Sequence, residues 1–536
     1  MINYRELRLV AVWSFFIVAI SLIPYLYGYH LATYDMKFMG SISMYPEDTN
    51  THLSWAREAE KGNYLIEDKY NGAEVKTRLI FNTLFLTIGW TARISKLPLE
   101  IVFHIERSLF SFILLILVYI LASQFFTEKM YRWLVLILVS ISAGFGWLNN
   151  LGVINFFPDD LTIIESITFW YIRWEMVVTP TVVTLLLIFL FYLRFIDRQN
   201  LKYAFAAGGL TLLLWTIHPH DIIAVLSVLG IYSFFCYLLN RNFLFLQIIT
   251  KGYLIIVCFS IPCILYSLYI LKYDPVLNEY FNIRDPFHPF YLIFGYGILS
   301  LLALTGSYII LKNKEIIFIF CLSWLISSLL LLSVPISPLH QCFLYHGIHI
   351  PICILSVRTL ALINEKIIKR LYNRNIAVAI LIIIVFLTSI TNIFQMIGDI
   401  QRLQSKPFPH FLHKNILEGM NWLYHKTSSA STVIAPIKIS QLIPNLSGNR
   451  VYAAQRQQTQ YFSRKEMEIN NFFNEDIWQD ENVVLGFLRK HQIDFIFLDP
   501  FIPSSQRTDL IHRLNTFKSL KPEFINSLAA IYSVNK

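Results

Sequence analysis

Charge is what this 536-residue chain has least of: ionisable residues make up 15% of it against 55% apolar ones. That scarcity excludes a soluble protein, which at this length needs far more charge to cover its surface. The signature loops of soluble enzymes are missing too. There is no Walker loop, dinucleotide fingerprint, serine elbow or zinc-protease helix, so any chemistry has to come from residues gathered by the fold. Cysteine is sparse and badly placed for catalysis. Cys236, Cys258, Cys263, Cys321, Cys342 and Cys353 all fall in or beside apolar runs, where a thiol packs as a small apolar group. The polar segments have none, which rules out a disulfide framework or a cysteine metal cluster there. The excess of 44 Lys and Arg over 35 Asp and Glu forms no basic stripe, so nucleic acid is not expected as a partner.

What the chain does have is a succession of uncharged apolar runs of about 20 residues, the length needed to cross a bilayer as a helix. They predict an all-α polytopic membrane protein with about eleven transmembrane helices. The runs cover residues 9–29, 101–126, 133–151, 178–196, 203–217, 222–240, 254–271, 290–311, 316–332, 345–363 and 376–396. Positive charge alternates with them. Arg5, Arg8, Lys129, Arg132, Arg194, Arg198, Lys202, Arg241, Lys312, Lys314, Lys366, Lys369, Arg370 and Arg374 lie at every second connection, whereas the others carry little beyond Arg173, Lys272 and Arg284. Under the positive-inside rule this places the amino terminus in the cytoplasm of a plasma (inner) membrane protein, with the first run a signal anchor and the carboxyl-terminal region outside.

That parity holds only if residues 79–95 do not cross. The segment is short, contains Asn82, Thr83, Thr87 and Thr91, and is flanked by Arg78, Arg93 and Lys96, so it is expected to lie along the outer leaflet. A second interfacial helix is expected at 49–61, where Leu53, Ala56 and Glu60 share one side and Trp55 sits at headgroup level. Residues 1–400 thus form the transmembrane domain, with its first outer loop at 30–100. Beyond Pro407 and Pro409 charge returns, and residues 401–536 read as a small extracytoplasmic α/β domain. Its helices are expected at 415–426, 464–473, 482–491 and 507–520, and its strands at 432–435 and 493–498. Asn445-Leu-Ser447 matches a glycosylation acceptor, read here as a chance tripeptide.

Three outer loops carry the ionisable groups from which a site can be built. The first reads Tyr45-Pro-Glu47-Asp48-Thr-Asn-Thr-His52 and runs on through Trp55-Ala-Arg57-Glu58 to Gly62. Asp48 there is either the cap of the following helix or a catalytic base, and spacing leaves both uses open. The second, 152–177, contains Asp159, Asp160, Glu165, Arg173 and Glu175. Its acidic pair after Pro158 is either a solvated turn or a carboxylate pair able to orient a hydroxyl or a cation. The third set is His218-Pro-His220-Asp221, with His340, His346 and His349 at or within a later run. These are polar caps at an interface, a divalent metal site built from His218, His220 and Asp221, or imidazoles that meet a phosphate.

Asp48, Ala56-Arg57-Glu58 and Gly62 resemble the first outer loop of the C-type (GT-C) glycosyltransferase superfamily, in its aminoarabinose and mannose transferase branches. The likeness continues through the segment 79–95 and a Phe103-x-x-x-Arg107 start to the next span. An acidic second outer loop and an outer carboxyl-terminal domain complete the layout. Some positions depart from the pattern. The acidic pair runs Glu47-Asp48, His52 stands where an aromatic is usual, and the loop Ser337-Pro-Leu-His340-Gln-Cys-Phe343 lacks the arginine that meets a lipid phosphate in many relatives.

The resemblance implies an inverting transferase that moves a sugar from a polyprenyl-phosphate donor to an envelope lipid, glycan or protein acceptor on the outer face. Asp48 would be the general base with Glu47 beside it, and Asp159, Asp160 and Glu165 would orient the acceptor or a cation. Arg107, Arg57, His218, His220, His340 and Arg284 would face the donor phosphate. No cofactor is required by the sequence, although a divalent metal fits the histidine set. Two other classes stay open: a flippase for lipid-linked glycans, and a non-catalytic relative that binds a lipid or a partner. Largely apolar mid-span positions and the absence of a repeat between halves count against a flippase.

Overall fold

Where the sequence offers an unbroken apolar run, the chain forms a helix, because backbone groups inside a bilayer can be satisfied only within the segment itself. The computed structural model describes all residues except 1–2, 73–76, 241, 281–287, 334–344, 372–373, 474–477, 479, 503 and 536. Among the described residues, 8 helices are long and apolar enough to cross a membrane. They are Tyr4–Leu31, Leu99–Phe125, Lys129–Asn150, Val178–Arg198, Asp221–Leu239, Phe243–Tyr273, Ile316–Ser333 and Asn375–Gln404. The other three expected runs are helical as well. Leu201–Ile217 is short, His349–Leu371 carries Arg358 hydrogen-bonded to Glu315 at 2.6 and 2.7 Å, and Pro289–Tyr296 with Ile298–Asn313 forms a pair bent by 101°. The bend falls at Gly297, whose positive φ of 53° suits a residue without a Cβ.

The chain divides into two compact units, the first made of Met1–Pro24, His104–Ser267 and Asn282–Gln401, the second of Tyr25–Phe103, Leu268–Phe281 and Arg402–Lys536. In the first unit two helix interruptions meet. Phe145, just past the end of the Lys129–Ile141 helix, donates its N–H to the carbonyl of Phe294 at 2.9 Å. A Cβ on Gly144 would fall 2.3 Å from that same carbonyl, so only glycine permits the approach.

Among the described residues the second unit holds two sheets. Strands β1 (Met36–Phe38) and β2 (Phe411–His413) pair antiparallel, with Met36 opposite His413, which joins the segment after the first helix to the carboxyl-terminal segment. A five-stranded sheet follows, made of β3 (Thr432–Ile434), β4 (Arg450–Val451), β5 (Phe495–Leu498), β6 (Leu520–Ile525) and β7 (Ala530–Val534), in the order β4-β3-β5-β7-β6. The β3 pairs are parallel and the β7 pairs antiparallel. Alternation along the strands splits the core into two layers. Ile434, Ile496, Leu498 and Tyr532 face one side, and Val433, Phe497 and Ile531 the other.

Several expectations need correction. The helix expected at 49–61 begins at Pro46, because proline suits the first helical position, where its missing N–H is no loss. The helix expected at 507–520 ends at Leu514 and is followed by β6, which with β4 and β7 escaped the sequence reading. Lys521, Pro522 and Glu523 mask its strand pattern. Residues 79–95 form the helix Thr83–Ser95, capped by the Asn82 side chain, which accepts from the N–H groups of Leu84 and Phe85.

Candidate functional site

In the second unit Asp48 lies in the first turn of the helix Pro46–Glu60, whose N-cap residue is Tyr45. The capping use is therefore overturned: Asp48 is inside the helix. Its carboxylate accepts from Gln455 Nε2 at 3.2 Å, and the neighbouring Glu47 accepts from Gln441 Nε2 at 3.4 Å. A carboxylate in the first turn is favoured by the helix dipole, and Asp48 is half-buried.

The rest of that motif anchors the helix. Ala56 and Ala59 are fully buried where Gly89 of the helix Thr83–Ser95 passes, so close that a Cβ on Gly89 would meet the Ala56 carbonyl at 2.3 Å. Gly62 ends the helix at φ +99°, with Arg93 Nη1 only 2.8 Å from where a Cβ would stand. Arg57 donates from Nε to the Asn445 carbonyl and from Nη1 to Glu60 at 2.9 Å. Glu58, 1% exposed, is held by Lys69 at 3.4 Å and by Asn63 at 3.0 Å. Asn445 is 6% exposed and donates to Asn50 at 3.0 Å, which agrees with reading its tripeptide as chance rather than as a glycan acceptor.

In the first unit Asp159 and Asp160 open a short helix, Asp159–Thr162, and both are buried, which overturns the solvated-turn alternative. Asp160 Oδ2 accepts from the Gly144 N–H at 2.9 Å and the Gly146 N–H at 3.0 Å, closing the interruption after Ile141. Asp159 Oδ2 accepts from the Tyr345 hydroxyl at 2.7 Å, and its backbone lies against Gly295. Burial pushes the carboxyl of Asp159 up to about 6 and that of Asp160 up to about 7. Asp159 thus exchanges its proton near neutrality. A polar cluster of which the sequence singled out only His349 lies nearby: the Tyr296 hydroxyl donates to the Ser166 carbonyl at 2.7 Å, and His349 touches Thr168 Oγ1 and Ser142 Oγ, each at 3.0 Å. Ser142, a polar residue closing an apolar run, is a second sequence signal for it.

The other expected residues are placed as follows. Glu165 sits half-buried on the turn Ile164–Ser166. Arg107 is fully buried and donates from Nη1 to the carbonyls of Ile172 and Arg173, the latter at 2.6 Å, at the carboxyl end of the helix Thr168–Trp174. That is where a cation complements the helix dipole. His218 Nδ1 is 2.6 Å from Asp221 Oδ2, and the half-buried His220 ring lies 5.1 Å from the His218 ring. The residue that joins Asp221 and His218 is His346, at 2.9 Å from Asp221 Oδ2. Arg284 and His340 lie outside the described residues.

No family model and no curated protein sequence matches the chain. Solved structures do. ArnT from Cupriavidus metallidurans bound to undecaprenyl phosphate aligns with TM-score 0.52 and 9% identity, over 97% of this chain and 98% of that one. The oligosaccharyltransferase AglB from Archaeoglobus fulgidus, in complex with an inhibitory peptide and a dolichol-phosphate, aligns with TM-score 0.53 and 12% identity, over 97% of this chain and 74% of that one. The arabinofuranosyltransferase AftD from Mycobacteria aligns with TM-score 0.51 and 11% identity, over 100% of this chain and 40% of that one. The chain therefore has a GT-C-type fold and is a multi-pass membrane protein.

Proposed function

We propose that the chain is a membrane glycosyltransferase that takes a sugar from a polyprenyl-phosphate donor and passes it to a lipid, glycan or protein acceptor on the outer face of the plasma membrane. The observation that carries this reading is end-to-end likeness to ArnT, a structure bound to undecaprenyl phosphate, over 97% of this chain and 98% of that one. The acidic first-turn residue Asp48 supports it. The chemistry asks little of the protein beyond positioning, a base, and a cation facing the leaving group. An acceptor hydroxyl oxygen attacks the anomeric carbon, and the bond from that carbon to the phosphate oxygen breaks. The polyprenyl phosphate leaves with the electron pair, and the hydroxyl proton passes to Asp48. In this reading Asp159, held by Tyr345, is a carboxyl available to a cation or a polar ligand group within the first unit, and Asp160 positions the loop that carries it.

General-base catalysis is worth roughly 10²- to 10⁴-fold. Asp48→Asn is expected to lower sugar transfer from a polyprenyl-phosphate donor in membranes by at least that range while leaving insertion and the gel-filtration profile of the purified protein unchanged. Full activity in the variant would sink the base assignment. Binding of polyprenyl phosphate without turnover by the wild-type chain, across donors and acceptors, would replace the enzyme reading by the non-catalytic one.

A further inference from the structure

Two segments distant in sequence, residues 218–221 and the turn that carries His346, bring two imidazoles and a carboxylate together inside the first unit. His218 closes the helix Leu201–Ile217, Asp221 opens the helix Asp221–Asn240, and His346 lies on the turn ahead of the helix His349–Leu371. His218 Nδ1 is 2.6 Å from Asp221 Oδ2, and His346 Nδ1 is 2.9 Å from Oδ2 and 3.1 Å from Oδ1. Asp221 is 0% and His346 3% exposed. The ligand atoms of the three residues all lie within 4.8 Å of one another.

We propose that His218, Asp221 and His346 form a binding site for one divalent transition-metal ion of the zinc class. Both histidines present the same nitrogen, Nδ1, to one carboxylate, so the three donors converge on a single point. Protons on the two Nδ1 atoms fill that point when no cation does. Zinc bound tetrahedrally at about 2.0–2.1 Å sets donor-to-donor edges of about 3.3 Å. The carboxylate-to-nitrogen separations of 2.6 and 2.9 Å reach that value if His218 moves back from Asp221 by about 0.7 Å and His346 by about 0.4 Å. Two nitrogen donors and one carboxylate disfavour magnesium and calcium, which take oxygen. Three protein donors also leave a fourth position open, the pattern of exchangeable rather than closed structural zinc sites.

The ion would reach further than its ligands. Tyr345, the residue before His346, donates to Asp159 at 2.7 Å. Gly347, the residue after, takes φ +73°, and Trp324 stands 2.9 Å from the place a Cβ would occupy. Holding His346 therefore holds the turn that orients Asp159. The site stands independently of the sugar-transfer reading, since metal content reports it without any substrate.

The test uses the full chain, purified in detergent by a tag without histidines and stripped with EDTA. Zinc is titrated against a chromophoric chelator, and Co(II) is added for its visible spectrum. The expected result is about one zinc per chain at submicromolar affinity, with four- or five-coordinate Co(II) bands and affinity that weakens as pH falls, because protons compete with the metal for the imidazole nitrogens. His346→Ala and Asp221→Asn are expected to lose at least tenfold in affinity, and His425→Ala none. Folded wild-type protein that takes up no zinc, or His346→Ala protein that binds as the wild type does, overturns the proposal. The wild-type measurement decides even where a variant fails to fold.

Discussion

Replacing Asp160 tests the reading of the second acidic loop, because alanine, asparagine and pH act on it in separable ways. Alanine removes the acceptor of two buried N–H groups, those of Gly144 and Gly146 at 2.9 and 3.0 Å. Each buried donor left without a partner costs about 1–3 kcal/mol, so Asp160→Ala is expected to destabilise by about 2–6 kcal/mol at pH 5. Asparagine keeps an oxygen in place and removes only the capacity to ionise, so at pH 5 it should cost less than about 1 kcal/mol. The pH dependence then follows from burial, which raises the Asp160 carboxyl from 3.8 to about 7.

Because the folded pKa is the higher one, the folded protein holds more protons than the unfolded chain between about pH 4 and pH 7. Wild-type stability therefore falls as pH rises through that window and levels off above it. At about 1.4 kcal/mol per pKa unit the loss is at most about 4 kcal/mol, and it is missing in Asp160→Asn. The gap between wild type and Asp160→Asn should accordingly close and reverse between pH 5 and pH 8. Asp159, also raised by burial, is present in both proteins, so the comparison reports Asp160 together with the repulsion between the two neighbouring carboxyls. The measurement is the denaturant midpoint of tryptophan fluorescence in detergent at the two pH values. Alanine protein as stable as wild type at pH 5, or an asparagine variant that tracks wild type across the range, would refute the reasoning.

Three further substitutions test the packing. Gly89→Ala puts a Cβ 2.3 Å from the Ala56 carbonyl, and overpacking of that kind is expected to cost about 1–3 kcal/mol, seen as a lower thermal midpoint and faster proteolysis within Pro46–Glu60. Gly486→Ala meets nothing within 4 Å and should leave stability unchanged or raise it by up to about 1 kcal/mol, since alanine is the better helix former. Arg107→Met keeps the bulk but strands the carbonyls of Ile172 and Arg173, so it is expected to destabilise by about 1–3 kcal/mol in the same denaturant assay, whatever it does to donor binding.

The helices were legible because each depends on its own segment. The expected runs all reappear as helices, and residues 493–498 read as a buried strand that emerges as Phe495–Leu498. Pro46 was a usable signal that went unread: proline at the first helical position would have moved the helix start and removed the capping use of Asp48. Other misses had no local signal. Nothing in Pro158-Asp159-Asp160 marks burial, because the space is made by Gly144, Gly146 and Gly295. Strand β6 looks polar because it lies at a sheet edge with one ladder partner, β7.

Hydropathy, charge alternation and helix-compatible runs, read from the chain alone, therefore suffice for a many-helix membrane protein, since each is a property of contiguous residues that the bilayer enforces locally. The identity of the groups that meet is another matter. Asp221 finds His346 at a separation of 125 residues, and Asp159 finds Tyr345 across 186. Such partners are chosen by how helices pack and where glycine lets two backbones touch, and neither quantity is written in any single stretch of the chain.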